Sequence, residues 1–399
     1  MRLLRLAGIS GIAVATAVLA AGAVIAGTAS AAGAGTGTAR ALYGVSCPAA
    51  GDCVAVGFSQ AAEQGRGGPL AETWTGKTWK AAVLPLPAGG TSGALSAVSC
   101  PARSKCVAVG NYSGGTFAET WNGKAWTPAA LPQPKSTTPG LTIGDTIEGV
   151  SCPTVTRCVA TGYAGYTFIA DRPADSSISA LAETWNGSKW TRTTIPVSGD
   201  LRAVSCASAA SCLAVGTTAL FGDTAEALSW NGHAWTALPV PGAAAVFTGV
   251  SCTSAAHCTV VGDTVDPGIP SASMAGLAEV WNGRKWSALR LPWPKGGDSY
   301  LTGVSCARAG SCATAGGQNM ALHAVPLTGK AAAATWNGTA WTIARLPALH
   351  PGRSDVFNSV SCPTAAQCVA VGQYGPNKTQ LGTGWAGIWN GKTWKQAAV

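Results

Sequence analysis

Fourteen cysteines carry the widest chemical options in this chain, and they fall into seven pairs with five residues between partners. The pairs are Cys47/Cys53, Cys100/Cys106, Cys152/Cys158, Cys206/Cys212, Cys252/Cys258, Cys306/Cys312 and Cys362/Cys368. Such thiols could act as nucleophiles, bind metal or form disulfides. A nucleophile must be spared from pairing, yet no cysteine stands outside a pair. A metal site needs two pairs, or a pair and histidines, converging on one ion. First cysteines lie 53, 52, 54, 46, 54 and 56 residues apart, and His233, His257, His323 and His350 occupy unrelated repeat positions. One disulfide per repeat is therefore expected, with no metal and no cofactor.

Other reactive residues recur too regularly to be catalytic. A serine precedes the first cysteine in all seven copies, at 46, 99, 151, 205, 251, 305 and 361. Glu72, Glu119, Glu183 and Glu279 stand two places before a tryptophan in four copies. An enzyme needs one nucleophile or one acid/base pair, so repetition assigns these to packing, hydrogen bonds or ion pairs. Site candidates are instead the residues that break the pattern: Tyr163, Tyr166, Asp171, Arg172 and Asp175 in copy three, Asp263 and Asp266 in copy five, Trp293, Asp298 and Tyr300 before copy six, and Tyr374 and Trp385 in copy seven. The aromatic residues offer stacking faces, and the carboxylates can orient hydroxyls or amines.

The elements that position these residues follow from the repeat. In the last copy Ser359–Cys362, Cys368–Gly372, Ile388–Trp389 and Trp394 mark short β-rich runs bounded by Pro, Gly and Asn, which read as four strands joined by hairpins. The cysteine pair spans the first hairpin, where cross-strand neighbours approach closely enough for a disulfide. Closing so short a loop contributes about 2 kcal/mol. The third hairpin carries Trp-x4-Trp in every copy, with Asn-Gly inside it in six and Thr75-Gly76 in the first. Those turn residues accept the positive φ of a tight reversal. Small residues at 44, 97, 149, 203, 249, 303 and 359 suit a crowded innermost strand.

A period near 50 residues belongs to blade-type repeats. The expectation is an all-β, seven-bladed β-propeller of four antiparallel strands per blade, one disulfide in each, with closure by blade packing rather than strand exchange. Its limits read as 42–399, with blades near 42–91, 92–142, 143–198, 199–244, 245–297, 298–352 and 353–399, after a short segment at 32–41.

Residues 1–31 open with Arg2 and Arg5, run apolar, and end Thr28-Ala29-Ser30-Ala31, the pattern of a secretory signal peptide. A retained anchor is the alternative; cleavage implies a secreted chain with no membrane span and an oxidising compartment. Net charge is +9 with only 11% charged residues and no basic cluster, which argues against a nucleic-acid partner. A monomer is expected.

The repeat resembles kelch and galactose-oxidase-type propeller repeats through an apolar strand ending in glycine (Gly57, Gly110, Gly162, Gly216, Gly262, Gly316, Gly372), a later turn and tryptophan, and Leu-Pro closes such as Leu131-Pro132. The kelch double glycine occurs once, as Gly316-Gly317. Gly76-Lys77-Thr78-Trp79 is similar to the end of the sialidase Asp-box, whose Ser and Asp are replaced by Glu72 and Trp74. The pattern also resembles secreted bacterial repeat proteins with Val-Ser-Cys and Trp-Asn-Gly marks. Galactose oxidase requires a tyrosine cross-linked to a cysteine at copper, and every cysteine here is committed to a pair, so the resemblance implies a fold and no oxidase chemistry.

Strand alternation puts the disulfide and Trp-Asn-Gly turns on one rim. The copies differ most on the other, at Phe58–Pro69, Ala164–Ser179, Asp263–Ala275, Gln318–Lys330 and Gln373–Thr383. Variable loops on a rigid scaffold are the usual home of binding residues. The expected function is a non-catalytic recognition scaffold for a glycan, cell-wall polymer or protein; the alternative is a carbohydrate-active hydrolase or lyase at the mouth of the channel.

Overall fold

The computed structural model describes residues 39–60, 67–133, 144–166, 178–195, 197–218, 224–241, 245–265, 274–293, 299–318, 329–346, 354–375, 382–397 and 399. The signal-peptide reading and the variable-loop candidates Asp171, Arg172, Asp175, Asp266 and Asp298 lie outside them.

Seven four-stranded antiparallel sheets follow in chain order, each built from four consecutive strands. In blade 1 these are Ala39–Ala49, Asp52–Gln60, Gly67–Trp74 and Trp79–Val83. The first strand of each blade is innermost: Ala39–Ala49, Gly93–Ala102, Gly144–Thr154, Asp200–Ser208, Ala245–Ser254, Ser299–Arg308 and Ser354–Thr364 each contact the innermost strands of both neighbouring blades, the last closing on the first. The molecule is a seven-bladed β-propeller. Among the described residues, no blade borrows a strand from another.

All seven predicted disulfides form across the first hairpin, with Cα atoms 3.9 to 4.0 Å apart. On the third hairpin the two tryptophans face each other in register, ring centroids 5.2 to 5.9 Å apart. Within each blade the two turns meet, as where Gly51 neighbours Gly76 and Gly310 neighbours Gly338, so both crown the same rim.

The core is divided among the blade junctions. Seven apolar clusters among the described residues each occupy one junction, and the cluster of Leu42, Val45, Val369, Val371 and Ala386 seals blade 7 against blade 1. Leu42, Leu95, Ile147, Leu201, Phe247, Leu301 and Phe357, one per innermost strand, are fully buried. Close approach at the axis explains the small residues: a Cβ on Gly44 or Gly249 would lie 2.9 Å from the Cα of Ala97 or Gly303 in the next blade.

The repeated serines stitch these strands together. Ser46 Oγ accepts from the Cys100 amide at 3.0 Å, and Ser99, Ser151, Ser205, Ser251 and Ser305 do the same for Cys152, Cys206, Cys252, Cys306 and Cys362. Ser361 returns the pattern to Cys47 at 3.0 Å, completing a belt of seven bonds.

Candidate functional site

Each innermost strand carries a bulge, and the bulges place the polar side chains of the axis. Pairing with the second strand slips between Leu42 and Gly44, Leu95 and Ala97, Ile147 and Gly149, Asp200 and Ala203, Phe247 and Gly249, Leu301 and Gly303, and Phe357 and Ser359. The glycine ending the second strand sits opposite: a Cβ on Gly57, Gly162 or Gly216 would collide with the carbonyl oxygen of Ala41, Thr146 or Asp200. A bulge adds one residue and re-aims its side chain.

The residues released in this way are Tyr43, Ser96, Glu148, Arg202, Thr248, Thr302 and Asn358, each half-buried beside fully buried apolar neighbours. Apart from two threonines their types all differ, whereas the positions around them repeat. Thr302 Oγ1 donates to the Phe357 carbonyl at 2.8 Å, and Asn358 Nδ2 to the Leu42 carbonyl at 2.7 Å, so they span from one innermost strand to the next. Sequence reading passed over this set because the extra residue breaks the two-residue alternation. The legible signal was one varying column between a large apolar residue and the small-Val-Ser-Cys run.

Charge gathers on one side of this ring. Arg202 Nε donates to Asp200 Oδ2 at 3.1 Å; Asp200 is buried, and its Oδ1 has no partner among the described residues. Burial and the negative Asp200 push Glu148 up to about 8, with Arg202 opposing. Burial also raises Asp200, against the pull of Arg202, and raises Asp263, whose Oδ1 accepts from the Leu301 amide at 2.9 Å. Arg202 favours the charged form of all three carboxyl groups, but burial and Asp200 outweigh it at Glu148, which stays protonated at neutral pH. Burial lifts Tyr43 to about 12, so its phenol remains a neutral donor.

The sequence-predicted candidates that the structure describes are spread over blades 3, 5, 6 and 7. Tyr163 is 5% exposed in the second strand of blade 3, and the Tyr166 side chain lies outside the described ones. Asp263, 2% exposed, tethers blade 5 to blade 6 as Asn111 tethers blade 2 to Ile147 of blade 3. Half-buried Trp293 packs at the junction of blades 5 and 6, and burial together with Asp263 raises the Tyr300 phenol. Trp385, 2% exposed, stacks on Phe357 at 4.3 Å, so that face is spent on the core where blades 6 and 7 meet; half-buried Tyr374 packs beside it.

The cysteines form their predicted bonds; Cys312, Cys362 and Cys368 line a cleft between blades 6 and 7, and others pack only in the core. Cys53, Cys212 and Cys258 are buried, each in the apolar cluster of one blade junction. They line neither the cleft between blades 6 and 7 nor the gap between blades 2 and 3. Bonded sulfur packed among aliphatic and indole side chains offers a ligand no thiol, so these three residues act as structural cross-links.

The repeated glutamates lie sealed between blades. Glu72 pairs with Arg40 at 3.0 Å, and Arg192 beside Glu183 pairs with Asp145 at 2.7 Å. Glu119 and Glu183 are fully buried, and burial pushes each to about 8. No ligand reaches them there. Among the described residues, no group of His, Cys, Asp and Glu has the arrangement of a metal site.

No protein-family model matches the chain, and no curated protein matches its sequence. Solved structures share its fold. A GH74 xyloglucanase from Xanthomonas campestris superposes with a TM-score of 0.56 at 13% identity, covering 90% of this chain and 53% of that one. A puromycin-hydrolysing peptidase from Mycobacterium tuberculosis gives 0.54 at 11% identity, covering 90% and 52%. An acylaminoacyl peptidase from Pyrococcus horikoshii gives 0.51 at 10%, again covering 90% and 52%. The chain spans about half the length of these three enzymes, and at such identity the likeness is one of fold alone.

Proposed function

We propose that the protein is an exported, non-catalytic recognition scaffold that takes a glycan, a cell-wall polymer or a protein segment at the axis, on the side of its variable rim. The observation that supports this most is the ring of Tyr43, Ser96, Glu148, Arg202, Thr248, Thr302 and Asn358, polar and half-exposed, whose types vary while the scaffold around them repeats. Neutral hydroxyl and amide groups dominate the ring, which suits hydrogen bonding to hydroxyls or peptide groups. Seven disulfides point to an oxidising environment, and with the N-terminal leader they support export. No helix among the described residues is long and apolar enough to cross a membrane. The repeat is read as kelch-like on its strand-ending glycines.

The test is retention of the purified, oxidised protein on glycan, cell-wall and peptide arrays, repeated with Tyr43→Phe and Arg202→Met. Weakened retention in these axial variants supports the reading; retention unchanged in both would overturn it. A second reading, a carbohydrate-active hydrolase or lyase, draws on Glu148, a protonated carboxyl beside Arg202 that could give its proton to a leaving group. It requires product release that Glu148→Gln abolishes.

A further inference from the structure

A cleft of about 250 Å³ opens between blades 6 and 7 on the opposite rim, the one crowned by the repeated turns. Its walls include the indoles of Trp336 and Trp389, and its polar lining includes Arg308, Ser311, Asn337 and Thr364. Between blades 2 and 3 the matching gap measures about 20 Å³ and is lined by Lys105 and Val107.

The side chains explain the difference. At the position before the second cysteine, blades 1 to 7 carry Asp52, Lys105, Arg157, Ser211, His257, Ser311 and Gln367. In blades 1 and 5 that side chain crosses the junction: Asp52 pairs with Arg103 of blade 2 at 3.1 Å, and His257 Nε2 lies 3.1 Å from the Ala309 carbonyl of blade 6. Two residues further on, blades 1 to 7 carry Val54, Val107, Val159, Leu213, Thr259, Ala313 and Val369. Blade 6 alone combines a serine at the first position with an alanine at the second, and Ala313 packs into the same junction. At the cleft itself Ser311 is too short to bridge the junction, and Ala313 behind it adds little bulk.

Among the described residues, exposed Arg308 makes no ion pair and no carboxyl group lines the cleft. The volume falls below the ~300–1,000 Å³ of pockets for drug-sized ligands, which suits a single pyranose ring. Half-exposed indoles give that ring an apolar face, Ser311 and Thr364 give its hydroxyls partners, and the guanidinium prefers a carboxylate. We infer that the cleft between blades 6 and 7 is a second binding site, independent of the axis, for an acidic sugar of the hexuronate class.

The test is calorimetric and saturation-transfer NMR titration of the oxidised full-length protein with D-glucuronate and D-galacturonate, with D-glucose for comparison. A uronate should bind saturably and at least about tenfold more tightly than glucose. Arg308→Ala should weaken it by a similar factor, and Ser311→His, which installs the bridge found between blades 5 and 6, should abolish it. Arg103→Ala, removing one arginine elsewhere on that rim, and Arg202→Met at the axis should leave it unchanged, which separates this site from the axial one. Absence of saturable uronate binding, equal binding of glucose, or undiminished binding to Ser311→His would overturn the inference. Circular dichroism of each variant distinguishes loss of the site from loss of the fold.

Discussion

Both carboxyl oxygens of Glu119 and of Glu183 lack hydrogen-bond partners among the described residues. Burial sets each at about 8, against an ordinary 4.5. Between those values the unfolded chain releases a proton that the folded chain keeps, so stability falls as pH rises through the window and the penalty is complete above about 8. Glu119→Gln, which removes that ionisation, should raise the thermal midpoint by about 2 °C or more near pH 9 and change it little near pH 5. An equal shift at both pH values would show that the carboxyl is not protonated in the fold. The repetition of these glutamates in the sequence already argued against catalysis; their lack of partners was not legible, because it depends on which residues the neighbouring blade presents. Trp385 was misleading for the same reason: a tryptophan outside the Trp-x4-Trp pattern looks free, yet Phe357, two strands away across Gly372, takes its face.

At the scale of the strand and turn, the third hairpins offer a controlled comparison. In blades 2 to 7 an asparagine side chain accepts two backbone amides of its own turn, as Asn122 does from Lys124 and Ala125 at 2.9 and 3.0 Å. Thr75 of blade 1 has only a long contact from its hydroxyl to the Thr78 carbonyl, 3.5 Å. Thr75→Asn should therefore stabilise the protein by about 0.5–1 kcal/mol, read as a higher denaturant midpoint; no gain would mean the asparagines matter for backbone conformation alone. Gly216→Ala should cost more than about 2 kcal/mol, since its Cβ would meet the Asp200 carbonyl beneath the bulge. Turns and disulfides were legible because each rests on local residues at fixed spacing. The bulge was not, since it inserts a residue into a strand whose two-residue period is the only sequence signal a strand has.

For the whole molecule, the ring closes without a shared strand. The junction of blades 7 and 1 rests on apolar packing, the Ser361 bond to Cys47, the Asn358 bond to Leu42, and the Val45 and Arg40 amides donating to Ser359 Oγ and the Gly382 carbonyl. Other junctions have the same serine bond but also a covalent chain crossing between their blades. Opening should begin at this seam, so the Cys47 amide should exchange hydrogen faster than that of Cys252, which has the same kind of partner, Ser205, at an interior junction. Equal protection would indicate that the ring opens only on global unfolding. Seven blades were readable from seven cysteine pairs. The ligand was not, because recognition depends on residues from several repeats that meet only when the ring closes.

The central claim is that this closed ring holds ligands at its axis without turning them over. Incubating the oxidised protein with an array of glycans and cell-wall polymers, and measuring retention and soluble product together, tests it most directly. The account predicts retention with no product, and weaker retention in Arg202→Met. Release of product that disappears in Glu148→Gln would contradict it and make the axial carboxyl group a catalytic acid.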